Sequence, residues 1–153
     1  MSRVVFMCGP AGSGKSTYAT RLEREGWVRL SFDVELWRRG VTTVPTPPEV
    51  HAEVEAELRA RLVELVRAGA DVVLDFSFWS RRMRDEYRAI LRPLGVEPLT
   101  VYLATDRATV LERVRRRRGE HPHDVVLGEE LAARYIDHFE PPTPEEGPLE
   151  VVR

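Results

Sequence analysis

The stretch GPAGSGKST, residues 9–17, decides the fold. It fits G-x-x-x-x-G-K-[ST] from Gly9 to Ser16 and follows an apolar run, Val4–Cys8. A strand before and a helix after are the surroundings in which this pattern forms a phosphate-cradling P-loop. The glycines let the backbone curl so that successive N–H groups face phosphate oxygens. The cradle would run through Gly9, Ala11, Gly12, Ser13 and Gly14 to Lys15, Ser16 and Thr17. The N-terminus of the helix that follows adds partial positive charge. Lys15 is expected at the β- and γ-phosphates and Ser16 at Mg²⁺. With glycine at about 7% of usage, a chance match is on the order of one in a few hundred.

Outward from the loop, strand and helix patterns alternate. Val4–Cys8, Val28–Ser31, Ala70–Phe76, Leu99–Leu103 and Leu149–Val152 read as strands. Lys15–Glu25 reads as a helix closed by Gly26, and a short helical piece ends near Arg39. From Pro47–Pro48 onward, Val50, Val54, Leu58, Leu62, Leu65 and Val66 recur at helical spacing, and Gly69 ends the run. Ser80 and Asp106 stand as caps before helices reaching about Arg92 and Arg118. Glu129–Phe139 is a last helix. Such alternation predicts an α/β fold, a five-stranded parallel sheet with helices on both faces. Ligands then bind beyond the C-terminal strand ends, where the P-loop, Asp33 and Asp75 all fall.

Bulk properties narrow the class. A chain of 153 residues suits one domain, 1–153. One cysteine excludes an internal disulfide framework, and Cys8, in the first strand, reads as an inert buried thiol. There is no apolar run of about 18 residues and no signal-peptide layout, so no membrane partner is expected and a cytoplasmic setting is the simplest reading. A net charge of −2 argues against a generic nucleic-acid coat. Arginine supplies 22 of the 23 basic residues, and the one lysine is Lys15, where a compact point charge suits phosphate.

Further residues carry chemistry. Asp33, just past the second strand, suits a base that takes the proton of an attacking hydroxyl, or else caps the helix that follows. Asp75, ending the third strand, suits Mg²⁺ held directly or through water, or else a salt bridge to a nearby arginine. The segment FSFWSRRMR, with Trp79 and Arg81, suits an acceptor pocket, Trp79 being either a stacking surface or core. The run RVRRRRGEHPHD, residues 113–124, suits a lid over a triphosphate, spanning about 113–128, or a solvated face. Helical geometry groups Arg113, Arg116 and Arg117. His121 and His123 lack a cysteine partner or helical histidine pair, so zinc is not expected.

With these residues in view, the chain resembles the small P-loop kinases of the zeta-toxin and polynucleotide-kinase group, which often go under the broad label of AAA family ATPases. The resemblance rests on GPAGSGKST, on SFD after the second strand, on VVLDFSFWSRRMRDEYR, on the arginine-rich segment and on FEPPTPEEG. It implies an adenylate-kinase-like P-loop NTPase core with an arginine-rich lid. It further implies ATP and Mg²⁺ as cofactors and phosphate transfer to a hydroxyl. The acceptor classes are a nucleic-acid 5′-hydroxyl (a short end suffices), a nucleoside or sugar nucleotide, or a small molecule. It carries over Asp33 as base and Arg38 or Arg39 as contacts to an acceptor's phosphate. It sets Phe139, Pro141 and Pro142 beside the adenine. The chain is shorter than typical zeta toxins, which leaves their sugar-nucleotide pocket open. A second class also remains open, a nucleotide-binding switch or regulatory ATPase acting through a protein partner.

Overall fold

The structure is a computed structural model, and it describes residues 2–10, 13–41, 46–76, 78–117 and 129–152. Five strands form its sheet: β1 Val4–Cys8, β2 Val28–Ser31, β3 Val72–Asp75, β4 Leu99–Leu103 and β5 Leu149–Val152. Their order is β2-β3-β1-β4-β5, and every pair is parallel. The helices are α1 Lys15–Arg24, α2 Phe32–Arg38, α3 Pro48–Arg67, α4 Arg81–Leu91, α5 Arg107–Arg117 and α6 Glu129–Asp137. The expected α/β fold with a five-stranded parallel sheet is therefore what forms.

Strand β1 is central, and all five of its residues are buried. That is why its sequence is a continuous apolar run rather than an alternating one. Period-two geometry divides it between two cores. Val4, Phe6 and Cys8 pack with Val54, Leu58, Leu62 and Val66 of α3 and Tyr87 and Leu91 of α4. Val5 and Met7 pack on the opposite face with Ala19 of α1 and with Val101 and Leu103 of β4. A smaller cluster, Val110 and Val114 with Leu111 and Ile136, joins α5 to α6.

Several boundaries fall a residue or two from expectation, α6 for example ending at Asp137 rather than Phe139, and two differences have a visible cause. Strand β3 begins at Val72 because the Ala70 N–H still closes the end of α3 on the Leu65 carbonyl, at 3.0 Å. The cap of α2 is Ser31, whose hydroxyl accepts from the Val34 N–H at 3.3 Å. Capping by Asp33 is thereby corrected, and Asp33 lies in the first turn instead. Ser80 and Asp106 do cap, accepting from the N–H groups of Met83 (3.1 Å) and Thr109 (2.9 Å). No helix among the described residues is long and apolar enough to cross a membrane.

The topology sets the site. From β1 the chain leads to β2 at one edge of the sheet, and from β4 it leads to β5 at the other. The order therefore reverses between neighbours β1 and β4, and a crevice opens beyond their carboxyl ends. The loops after β1, β2, β3 and β4 all emerge on that edge.

Candidate active site

The loop after β1 is shaped by close approach. A Cβ on Gly9 would meet Ser13 Oγ at 2.6 Å and the Leu103 carbonyl at 3.4 Å. Gly14, before the first turn of α1, has φ +102, a left-handed conformation that favours glycine. The Ser13 N–H donates to the Pro10 carbonyl at 3.1 Å, and Thr105, just past β4, donates its hydroxyl to the Ser13 carbonyl at 3.0 Å. Ser13 Oγ is buried with no hydrogen-bond partner among the described residues. Lys15 is buried at the head of α1, and none of the ion pairs among the described residues involves it. Ala11 and Gly12 lie outside the described residues, and Thr17 is exposed.

Ser16 and Asp75 come together across 59 residues of chain, the Ser16 hydroxyl donating to Asp75 Oδ2 at 3.3 Å. The same oxygen accepts from Arg29 of β2, through Nε at 3.0 Å and Nη2 at 2.6 Å. The pair is enclosed, with side-chain exposures of 13% for Arg29 and 3% for Asp75. Of the two readings of Asp75, the salt bridge is thus formed, alongside the contact to Ser16. Parallel register accounts for it. Ser31 of β2 pairs with Asp75, and Arg29, two residues earlier, lies on the same face of β2.

The expected acceptor residues divide. Asp33 is exposed at the strand-end edge. Arg39 turns away to α3, where it meets Glu53 at 3.3 Å and Glu57 at 2.7 Å. Arg38 is exposed, 3.6 Å from Glu35 of its own helix. Trp79 is 52% exposed, which removes the reading of it as core. Arg81 stays at the surface beside Asp85, while its N–H donates to Glu140 Oε1 at 3.2 Å.

The arginine-rich segment is described only as far as Arg117, whose side chain is not described. The remainder of the lid expected over 113–128 lies outside the described residues, as do His121 and His123. Arg113 approaches the P-loop, its Nη1 standing 3.8 Å from where a Gly14 Cβ would be. Arg116 does not join it. It is 77% exposed and donates to Glu112 Oε1 at 3.1 Å. Near the other end of the chain, Phe139 stacks on Tyr102 with centroids 5.9 Å apart. The Glu140 N–H donates to the Trp79 carbonyl at 2.7 Å, so residues 139–142 run against the loop after β3. Pro142 is buried there and Pro141 exposed.

Sequence reading missed the support under that loop. Arg84 is fully buried, a rare position for arginine without full pairing. Its Nε and Nη2 meet Glu146 at 2.8 and 3.3 Å, and Nη1 donates to the Phe78 carbonyl at 2.7 Å. Phe78 is a non-glycine residue at φ +48, a strained conformation, and its ring sits among Phe6, Phe76 and Tyr87. Arg88 adds contacts to Glu146 (3.2 Å) and Thr100 (3.1 Å). Burial alone would raise the Glu146 pKa. The Arg84 hydrogen bond, the Thr143 N–H, the Arg84 charge and a hydrogen bond from Arg88 instead hold it down at about 2. Cys8, whose thiol donates to the Phe78 carbonyl at 3.5 Å, is pushed up to about 12 by burial, as an inert thiol should be. One signal was available. Arg84, Tyr87, Arg88 and Leu91 recur at three and four on one face of α4, two arginines along an apolar stripe.

Solved structures share this architecture. A kinase described as putative from Chloroflexus aurantiacus is 18% identical, with a TM-score of 0.76 over 99% of this chain and 87% of its own. A chain of the Pnkp1/Rnl/Hen1 RNA repair complex is 14% identical, also at 0.76, over 90% of this chain; the match spans 43% of that larger chain. A gluconokinase from Sinorhizobium meliloti is 19% identical at 0.63, over 98% of this chain and 81% of its own. These likenesses bear out the P-loop kinase fold. No curated protein matches the chain in sequence. The family model described as AAA domain matches residues 4–142, from the start of β1 past the end of α6. That span is far more than a shared phosphate loop, and the chain belongs to the AAA domain family.

Proposed function

We propose that the chain is a kinase that moves the γ-phosphate of ATP to a hydroxyl acceptor. The observation that carries this reading is convergence. The P-loop, Asp33, Asp75 and Arg113 meet one strand-end edge although they lie far apart in sequence. The kinases among its structural neighbours support the same reading.

The residues suit the groups such a reaction needs. Among the described residues, Ser13 Oγ is buried without a hydrogen-bond partner and Lys15 has no ion pair, so both suit phosphate oxygens. A hydroxyl and a carboxylate oxygen 3.3 Å apart, Ser16 and Asp75, are the hard oxygen donors Mg²⁺ takes. Ser16 and Asp75 would hold Mg²⁺, and the ion would supply positive charge to offset that of the phosphates.

In the proposed step, the acceptor oxygen bonds to the γ-phosphorus as the bond from that phosphorus to the β-phosphate oxygen breaks. The proton goes to the Asp33 carboxylate, and ADP leaves. Lys15 and the loop N–H groups hold the phosphates, and Arg113 faces charge developing on the transferred group. Protein of this kind contributes positioning and electrostatics more than covalent chemistry. Arg38 and the exposed Trp79 stand on the acceptor side as contacts for its phosphate and its flat or apolar surface. Arg39 is paired with Glu53 and Glu57 on α3 and is the less favoured of the two arginines for that contact.

The test is transfer from γ-labelled ATP with Mg²⁺ to 5′-hydroxyl oligonucleotides, nucleosides, sugar nucleotides and hydroxylated antibiotics, with Asp33→Asn as control. Label should reach one class. The variant should lose on the order of 10²–10⁴-fold of that rate while still binding ATP. Label going only to free phosphate, equally in both proteins, would replace this reading with a switch-like ATPase.

A further inference from the structure

Arg29 is the unexpected member of the strand-end edge. It reaches the Ser16–Asp75 pair from β2, and three donors then converge on one atom, Asp75 Oδ2: Ser16 Oγ at 3.3 Å, Arg29 Nε at 3.0 Å and Arg29 Nη2 at 2.6 Å. Nη2 also stands 3.5 Å from Ser16 Oγ. A carboxylate oxygen has about two lone-pair sites, so Oδ2 is saturated. A Mg²⁺ ion sits about 2.0–2.1 Å from its oxygen ligands. Such an ion on Oδ2 would displace the guanidinium nitrogens from the same lone pairs. It would also face their positive charge at close range, in an enclosed place where water screens little. Removing the guanidinium has the opposite effect. It leaves Asp75, 3% exposed, as a buried charge without its cation, which is a strong demand for another one.

We propose that Arg29 is a resident counter-cation of the metal site, competing with a divalent ion for Asp75 and Ser16. It closes the pair to free metal, and the site admits the ion only together with the phosphates, whose negative charge compensates both cations. This rests on the reading of Ser16 and Asp75 as metal ligands. It adds a selection to that reading: the protein takes up a metal–nucleotide complex rather than metal first.

The probe is Mn²⁺, titrated without nucleotide and followed by its electron paramagnetic resonance signal. The proteins are wild type, Arg29→Met, Arg29→Gln and Arg29→Met with Asp75→Asn. Arg29→Gln keeps a hydrogen-bond donor while dropping the charge, which guards against loss of the fold; circular dichroism melts verify each protein. Arg29→Met and Arg29→Gln should bind Mn²⁺ at least about tenfold more tightly than wild type, the direction set by removing a like charge a few ångströms away. The double variant should lose that gain. If the charge-free variants bind free Mn²⁺ no better than wild type, yet bind Mn²⁺ with ATP, competition by Arg29 is overturned and the metal-site reading stands. If no protein takes up Mn²⁺ even with ATP, both fall.

Discussion

Arg84→Met removes one buried guanidinium and leaves most of its volume. In the native chain that group is enclosed and fully engaged, holding both Glu146 oxygens and the Phe78 carbonyl at 2.7–3.3 Å. Methionine supplies none of those donors. Breaking a buried pair by deleting one partner costs about 3–5 kcal/mol. Glu146 keeps Arg88 at 3.2 Å and the Thr143 N–H at 2.9 Å, which places the expectation near the lower end, about 3 kcal/mol. With a urea m-value of about 1–3 kcal/mol/M, the unfolding midpoint at pH 7 should fall by about 1–3 M. Acid provides a second reading. The Glu146 pKa is held at about 2 in the folded chain against an ordinary 4.5. Because the folded value is the lower one, its stabilisation is complete above pH 4.5 and is lost as pH falls from there toward 2. At 1.36 kcal/mol per unit that loss is about 3 kcal/mol. Without Arg84 the depression shrinks, so the variant should lose less, and the two stability curves should converge in acid. A midpoint shift under about 0.3 M at pH 7, or curves that stay parallel down to pH 2, would refute the reasoning.

Gly9→Ala drives a methyl to within 2.6 Å of Ser13 Oγ and 3.4 Å of the Leu103 carbonyl. ATP affinity by calorimetry should fall by on the order of tenfold or more, about 1.4 kcal/mol, and unchanged affinity would remove Gly9 and Ser13 from the phosphate cradle. Arg113→Ala should lower kcat toward the roughly 10³-fold scale of an arginine finger, with little change in KM for ATP. Arg116→Ala, at a side chain paired among the described residues with Glu112 of its own helix, should stay within about twofold; equal losses in the two variants would end the assignment of Arg113.

What the chain spells out locally was legible. The P-loop needs only neighbouring residues, and the buried strands β1 and β3 announce themselves as unbroken apolar runs. Helix α3 shows its buried face at Val54, Leu58, Leu62 and Val66. Those features, with the alternation of strand and helix, were enough for a parallel sheet and for the edge at which the P-loop, Asp33 and Asp75 fall. Boundaries were less secure, because a cap is a competition between adjacent side chains. Ser31 won it over Asp33 by reaching the Val34 N–H.

Tertiary structure alone decided which of 22 arginines matter, and how. Their side chains are chemically identical, so helical spacing groups some of them on a face but does not say which partner each one meets. Strand register put Arg29 on Asp75, and helix packing enclosed Arg84 against Glu146, 62 residues away. The turn of α5 brought Arg113 to Gly14 while leaving Arg116 in solvent. The amino-acid sequence by itself determined the sheet, the glycine-rich loop and the strand-end edge beside it, because apolar periodicity and glycine geometry act over a few residues. The pairing of charges around that edge was set only by folding. A buried ion pair exists only where distant segments bring both partners out of water together.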